Sequence, residues 1–434
     1  MAFSVTGLCF HSTDATVLDL AYSVSQNLLT FAMKLTSTIL GLVLAAVSAY
    51  AAISSAELEV NKAKGLRLLS LEDGAEPVWK TEDEKLEIMR SHKNFFDVTE
   101  VYEPGTPIVP PANLFAPLVT CKVDFFLTSR LYSTLSDSPP SHQTVVKAIA
   151  QNVTIANLQS YLSSLTAFNN RYYRSQTGVD ATNWIVKTVG DIAAAYPASK
   201  ATVSAFKHTW IQSSIIARIP GTTTGPVTIL GAHMDSINQS NPTSGRAPGA
   251  DDDGTGSVNL IEAFRALLAA GFKPTTPVEF QWCSRRSGTR RYSGEEAGLL
   301  GSQAIAKSYK TAGTQVKAMM QLDMTGYVKP GTREVIGLMP DYIDAGLNVF
   351  LGSIIDTYST LPWVTSPKCG YACSDHASWY NQGYPSSLPF EARFGDDNPL
   401  IHSSSDTVTA TGFSWTHTLE YTKIAVAFAY ELGI

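Results

Sequence analysis

The run Gly231-Ala232-His233-Met234-Asp235-Ser236 leads through a polar spacer into Pro248-Gly249-Ala250-Asp251-Asp252-Asp253-Gly254-Thr255-Gly256, and the reading of the chain turns on it. Upstream, Pro226 to Ala232 is apolar and β-rich and predicts a buried strand, while Ser257 to Ala270 has helical periodicity. A histidine closing a buried strand and acids opening the next helix face one crevice. Open α/β sheets bind their ligands there.

Asp251, Asp252 and Asp253 repel one another wherever two of them share poorly solvated space, and a bound cation removes that cost. The competing explanation is a helix N-terminus carrying favourable negative charge. Outward from this run, Thr154–Phe168 and Asp180–Tyr196 predict helices, and Ala201–Phe206 and Ser213–Ile219 predict strands. Pro277–Trp282 and Val316–Asp323 predict further strands, and Trp415–Leu432 predicts a closing amphipathic helix. The alternation implies an α/β fold with a mostly parallel, mixed central sheet and helices on both faces.

At 434 residues and 44% hydrophobic content the chain accommodates one large domain with extensions. A net charge of −6 and the lack of a basic helical cluster exclude nucleic acid as the expected partner. Met33–Ala51 reads as a secretory signal peptide, and its apolar run, Ile39–Val47, is too short to span a bilayer. Secretion without stable membrane association is expected, with residues 1–32 an annotation extension upstream of a start at Met33. Ile53–Glu103 is charged and Pro104–Pro117 is a proline-rich linker. Residues 52–150 are therefore expected to be a removable pro-segment with its linker, activated by a protease, and 151–434 the main domain. Asn152-Val-Thr and Asn238-Gln-Ser are acceptable glycosylation sequons, whereas Asn241-Pro-Thr is blocked by its proline.

Further chemistry lies downstream. Glu295 and Glu296 are adjacent at a strand-to-helix turn, where one can bind a metal while the other moves protons. Asp323 ends a strand, and His402 sits in a polar loop running to Asp406. Taken singly, each is equally a solvated charge, a cap or a surface residue. Together His233, Asp252, Glu296, Asp323 and His402 can hold two zinc ions, with one carboxylate shared and positions left open for water. Cys369 and Cys373 are four residues apart. That spacing closes a small disulfide loop in an oxidising compartment, the alternative being two thiolate ligands.

On these residues the chain resembles the co-catalytic two-zinc aminopeptidases typified by secreted bacterial and fungal leucine aminopeptidases, over roughly Asn152 to Ile434. The resemblance implies a zinc-exopeptidase fold, two Zn2+ per chain, a monomer, and peptide substrates beginning with an apolar, leucine-like residue. It implies that Asp252 bridges the metals, that His233 and Asp323 complete one site, and that Glu296 and His402 complete the other. Glu295 falls at the general-base position, Asp235 at that of the carboxylate orienting His233, and Tyr371 at that of an oxyanion stabiliser. Met324, Phe390, Phe394 and Ile401 are implied to line the pocket for the first side chain. Asp397 stands where relatives can carry an aromatic. Met33–Glu103 resembles the signal and pro-segment of the fungal members.

Two segments depart from that pattern. Cys283-Ser-Arg-Arg-Ser-Gly-Thr-Arg-Arg291 separates a strand from the Glu295-Glu296 turn, and its four arginines cannot continue a strand buried on both faces. It reads as an unspliced segment that loops out beside the site, which the transcript across codons 283 to 291 tests. A similar suspicion attaches to Cys121–Pro140. The rival functions are a single-zinc, glutaminyl-cyclase-like acyltransferase and, if the insert is genuine, a catalytically impaired peptidase-like protein.

Overall fold

The computed structural model describes residues 53–434 apart from 73–74, 92, 104–139, 209–210 and 284–294. The expected extension, signal peptide, proline-rich linker, nearly all of the Cys121–Pro140 stretch and the arginine-rich insert after Cys283 lie outside the described residues. Among the described residues no helix is long and apolar enough to cross a membrane.

Residues 55–103 form a small α/β module of α1 (Ser55–Ala63), β1 (Arg67–Ser70), β2 (Val78–Lys80), α2 (Glu82–Arg90) and β3 (Phe96–Asp97). Its strands pair antiparallel in the order β2-β1-β3. The sequence signal for α2 is a capping box, in which Thr81 and Glu84 satisfy each other's backbone N–H groups. The buried centre of the module is ionic. Arg67 Nε lies 2.8 Å and Lys85 Nζ 3.1 Å from Asp97 Oδ2, and all three side chains are shut off from solvent.

The main domain follows with α3 (Gln143–Ala150), α4 (Ile155–Ala167), α5 (Gln176–Ala195), β4 (Thr202–Phe206), β5 (Ser214–Ile219) and β6 (Val227–His233). Next come α6 (Gly256–Ala269), β7 (Val278–Cys283), α7 (Leu300–Thr311), β8 (Val316–Gln321) and β9 (Ile336–Leu338). The chain ends with α8 (Ala345–Tyr358), β10 (Trp363–Thr365), α9 (His376–Asn381), β11 (Ser386–Ser387), β12 (Pro389–Phe390) and α10 (Trp415–Gly433). The central six-stranded sheet has the order β11-β8-β6-β7-β5-β4. Its members β11, β8, β6 and β7 run parallel, and β5 and β4 complete it antiparallel.

Strand alternation assigns the two faces. Leu230 and Ala232 of β6 join Phe280 and Trp282 of β7 and the buried faces of α3, α4, α5, α6, α8 and α10 in the large core. Ile229 and Cys283 turn the other way, against Ile305 of α7 and Trp379 of α9. Cys283 is thus an ordinary buried strand residue in register with His233, not part of a misfitting insert. Its side chain is apolar enough to end the strand inside the domain, whereas the arginines that follow are not. Val146 and Ile149 of α3 belong to the large core, and Glu431 of α10 accepts hydrogen bonds from the Ser141 and His142 backbones. Helix α3 therefore packs as part of the main domain although it precedes residue 151.

The module packs closely on the main domain at Gly298. Gly298 has φ +108°, and a Cβ there would lie 2.6 Å from the Asp97 nitrogen. Gln303 donates both to the Asp97 carbonyl at 3.1 Å and to the Gly298 carbonyl at 2.8 Å. Met89 of α2 packs with Tyr172, Tyr173, Ala297 and Leu300.

A buried arginine ties down the loop after β6. Arg171 donates to the carbonyls of Met234 at 2.7 Å, Pro248 at 2.5 Å and Gly249 at 2.8 Å, closing both ends of residues 234–249 with one guanidinium. Replacing it by methionine keeps the bulk but orphans three buried carbonyls. Arg171→Met should lower the unfolding free energy by on the order of 3 kcal/mol, visible as a shifted urea midpoint; an unmoved midpoint would refute the clamp.

His376, at the start of α9, is buried with Nε2 3.3 Å from the Asp341 carbonyl oxygen. Burial pushes its pKa down to about 4 against the smaller raising effect of that contact. The unfolded chain takes up this proton near pH 6.5 and the fold refuses it until about pH 4, so stability is lost as pH falls through that window. His376→Phe removes this linkage. The stability gap between wild type and variant should change in the variant's favour from about pH 7 to about pH 5. Parallel denaturation series measure it, and a constant gap contradicts the assignment.

Candidate metal centre

The parallel strands β6, β7 and β8 deliver their C-terminal ends to one edge, since His233 pairs with Cys283 and Gly231 with Gln321. His233 closes β6, Asp323 follows β8 by two residues, and Glu295 and Glu296 open the turn beyond β7. Asp252 enters from the N-terminal side of α6, and His402 from the loop before α10.

Among the described residues, two groups can hold a metal ion: His233, Asp252 and Asp323, and Asp252, Glu296 and His402. In each group the ligand atoms lie within 4.8 Å of one another. His233 Nε2 is 3.0 Å from Asp252 Oδ1 and 3.4 Å from Asp323 Oδ1. His402 Nε2 is 2.9 Å from Asp252 Oδ2 and 3.0 Å from Glu296 Oε2. Tetrahedral arms of about 2.0–2.1 Å leave ligand atoms roughly 3.3 Å apart, so these spacings fit one cation per group. Asp252 offers one oxygen to each.

The three aspartates of 251–253 split their work. Asp253 turns back to accept from the backbone N–H groups of His233 at 3.0 Å and Gly256 at 2.9 Å. Asp251 accepts from Gly326 N at 2.9 Å and the Asn398 side chain at 3.1 Å. Only Asp252 faces the metal groups. Asp253 meets the first N–H of α6, as the helix-start reading expects, Asp251 turns to Gly326 and Asn398, and Asp252 alone joins the groups that could hold a cation. The peptide between Asp252 and Asp253 is cis, and Asp406 accepts from the backbone nitrogens of Asp251 and Asp252, at 3.1 Å from each.

Electrostatics fit a cationic occupant. Burial, against the pull of His233, raises Glu295 well above the carboxylate range, with Asp323, Asp375 and Glu296 adding repulsion. Burial likewise pushes Glu296 up to about 7, despite His402, and Asp252 adds to it. Burial opposes ionisation of Asp252 too, but His402 and His233 overcome it and hold this carboxyl well below its ordinary value. Among the described residues Glu296 Oε1 is buried without a hydrogen-bond partner, an atom a cation would satisfy.

Asp235 sits behind both groups. Its Oδ1 is 3.6 Å from His233 Nδ1, ion-pair distance, and its carboxylate accepts from the Glu295 backbone N–H at 3.2 Å and that of Glu296 at 3.4 Å. Glu295 Oε2 lies 3.9 Å from His233 Nε2, alongside the metal groups and in neither. Cys369 and Cys373 form a disulfide with a Cα–Cα distance of 6.2 Å, removing them as thiolate ligands. Tyr371, on the loop they close, has its phenol raised by burial and by the Glu295 and Asp323 carboxylates, so it keeps its proton.

Met324 and Phe390 share an apolar cluster with Met339 and Leu388, against which Phe394, Ile401 and both disulfide cysteines pack. Chain adjacency sets this wall beside the ligands, Met324 after Asp323 and Ile401 before His402. Met324 and His402 both have left-handed backbones, φ +63° and +56°, conformations non-glycine residues adopt when their surroundings force them. Asn152 is exposed, and Asn238 is half-buried with its amide donating to the Arg246 carbonyl.

Sequence reading passed over Arg171, Asp406 and Gln239. Asp406 closed a run already singled out, but nothing there distinguished a backbone acceptor from a loop charge. Arg171 and Gln239 carry no spacing signal at all.

The sequence and fold are similar to those of known proteins. Leucine aminopeptidase 1 of Aspergillus clavatus is 40% identical over 365 residues, covering 82% of this chain and 86% of that protein. A probable leucine aminopeptidase of Arthroderma otae is 38% identical over 90% of this chain and 98% of its own. Among solved structures, the Legionella pneumophila LapA aminopeptidase aligns with a TM-score of 0.71 at 29% identity, covering 86% of this chain and 96% of that one. A Bacteroides thetaiotaomicron glutaminyl cyclase, at 16% identity, TM-score 0.51 and 64% and 98% coverage, shares the fold alone. The model of peptidase family M28 matches residues 214–429, which span His233 to His402. With that match and with relatives near 40% identity over most of both chains, this protein belongs to peptidase family M28.

Proposed function

We propose that this protein is a secreted aminopeptidase that uses two zinc ions to release apolar, leucine-like residues from the N-termini of peptides. The observation that carries the reading is Asp252, whose two oxygens lie 3.0 and 2.9 Å from the ring nitrogens of His233 and His402. A single-metal acyltransferase has no use for the second complete group. The names of the fungal relatives support the leucine preference.

Zinc bound by these residues supplies Lewis-acid polarisation of the scissile carbonyl and acidifies water. Glu295, outside both groups, takes the proton from the attacking water and returns it to the leaving amine. Its Oε2 lies 3.9 Å from His233 Nε2 and belongs to neither candidate group, which leaves it free to carry that proton. The Tyr371 phenol, protonated throughout, donates to the oxygen that gains charge. The apolar wall of Met324, Phe390, Phe394 and Ile401 receives the first side chain and excludes water from it.

Glu295→Ala should retain two zinc ions per chain by elemental analysis while turnover of a leucine anilide falls on the order of 10²–10⁴-fold. Wild type that binds one ion and cyclises N-terminal glutamine, or a variant that loses metal together with activity, overturns this division of roles.

Residues 55–103 act in this reading as a pro-segment removed after secretion. Because α3 packs in the main core, cleavage belongs upstream of Ser141, within 104–139. Asn152, exposed beyond α3, is the favoured glycan acceptor. N-terminal sequencing of the protein recovered from culture medium should return a start inside 104–139; a start at 53–55 in fully active enzyme contradicts the zymogen.

A further inference from the structure

We infer that Gln239 is a positioning residue for the second metal group, orienting the His402 imidazole so that Nε2 faces Asp252 and Glu296. This rests on the two-metal reading above. His402 belongs to no helix or strand and holds a left-handed backbone, φ +56°, with its ring 26% exposed. Its geometry must therefore come from contacts. Nε2 meets the two carboxylates, and Nδ1 meets the Gln239 side-chain amide at 2.7 Å. The Gln239 backbone N–H donates to the His402 carbonyl at 2.9 Å, so one residue holds both the ring and the main chain.

The protonation logic is restrictive. A neutral imidazole that ligates through Nε2 carries its proton on Nδ1, and that proton needs an acceptor. Gln239 Oε1 provides it, since half a turn about the last side-chain bond exchanges the amide's oxygen and nitrogen at this position.

Gln239 is itself held in place. Asn238 Oδ1 accepts from the backbone N–H groups of Ser240 at 3.0 Å and Asn241 at 3.2 Å, while its Nδ2 donates to the Arg246 carbonyl at 2.9 Å. The short segment from Asp235 to Gln239 thus backs both histidines, His233 with a carboxyl group and His402 with an amide.

Stepwise zinc affinities, measured by chelator competition on the intact chain, test this. Gln239→Leu should weaken one of the two zinc ions tenfold to a hundredfold and leave the other unchanged, with the thermal midpoint of the zinc-free protein unmoved. Gln239→Glu keeps an acceptor and should bind that zinc at least as tightly as wild type. Activity of Gln239→Leu at limiting zinc should recover when zinc is added in excess. If wild type binds two ions and Gln239→Leu binds both as tightly, or if the Leu and Glu variants lose affinity equally, Gln239 has no orienting role. Wild type that binds fewer than two ions instead removes the two-metal reading beneath it.

Discussion

The carboxylates of Asp235, Asp252, Asp323, Glu295, Glu296 and Asp375 repel one another inside a poorly solvated edge of the sheet, and the surrounding structure is arranged around that repulsion. Two histidines offset part of it, and a cation held between them would offset the rest. What keeps the acids from separating is backbone hydrogen bonding. Asp235 takes the N–H groups of Glu295 and Glu296, Asp253 those of His233 and Gly256, and Asp406 those of Asp251 and Asp252. Acids that face away from the metal groups fix the peptides of those that face them.

Position at the C-terminal ends of parallel strands makes this possible. Strands β6, β7 and β8 are buried on both faces, so their register is set by two apolar clusters at once, and a slip would expose one of them. The strand ends are accordingly rigid. Strain is confined to the loops, where Met324 and His402 hold left-handed backbones beside the ligands. The same loops carry the apolar wall, so the candidate ligands and that wall share one framework.

The module of residues 55–103 bears on this framework from outside. Its ionic centre places the Asp97 backbone against Gly298, three residues after Glu295, and Gln303 holds the two together. Its contacts include the turn that carries the glutamates, Gln303 and Lys307 of α7, and Tyr172, Tyr173 and Arg174. Removal of the module would therefore act on the centre through the position of that turn.

The sequence by itself determined the elements and the order in which they present chemistry. Strand runs such as Val227–His233 and helix runs such as Trp415–Gly433 are legible because burial imposes periods of two and 3.6 residues. The five candidate ligands are legible because each stands at a predicted strand end or in an adjoining loop. Tertiary structure alone decided that Asp251 and Asp253 turn away to backbone N–H groups, leaving Asp252 between the two histidines. It alone decided that Arg171 clamps a loop more than sixty residues away, that Cys283 is core, and that Gln239 backs His402. Local periodicity records which face a residue turns to the core. It does not record which distant polar atom will meet it, because that follows from how separate elements pack.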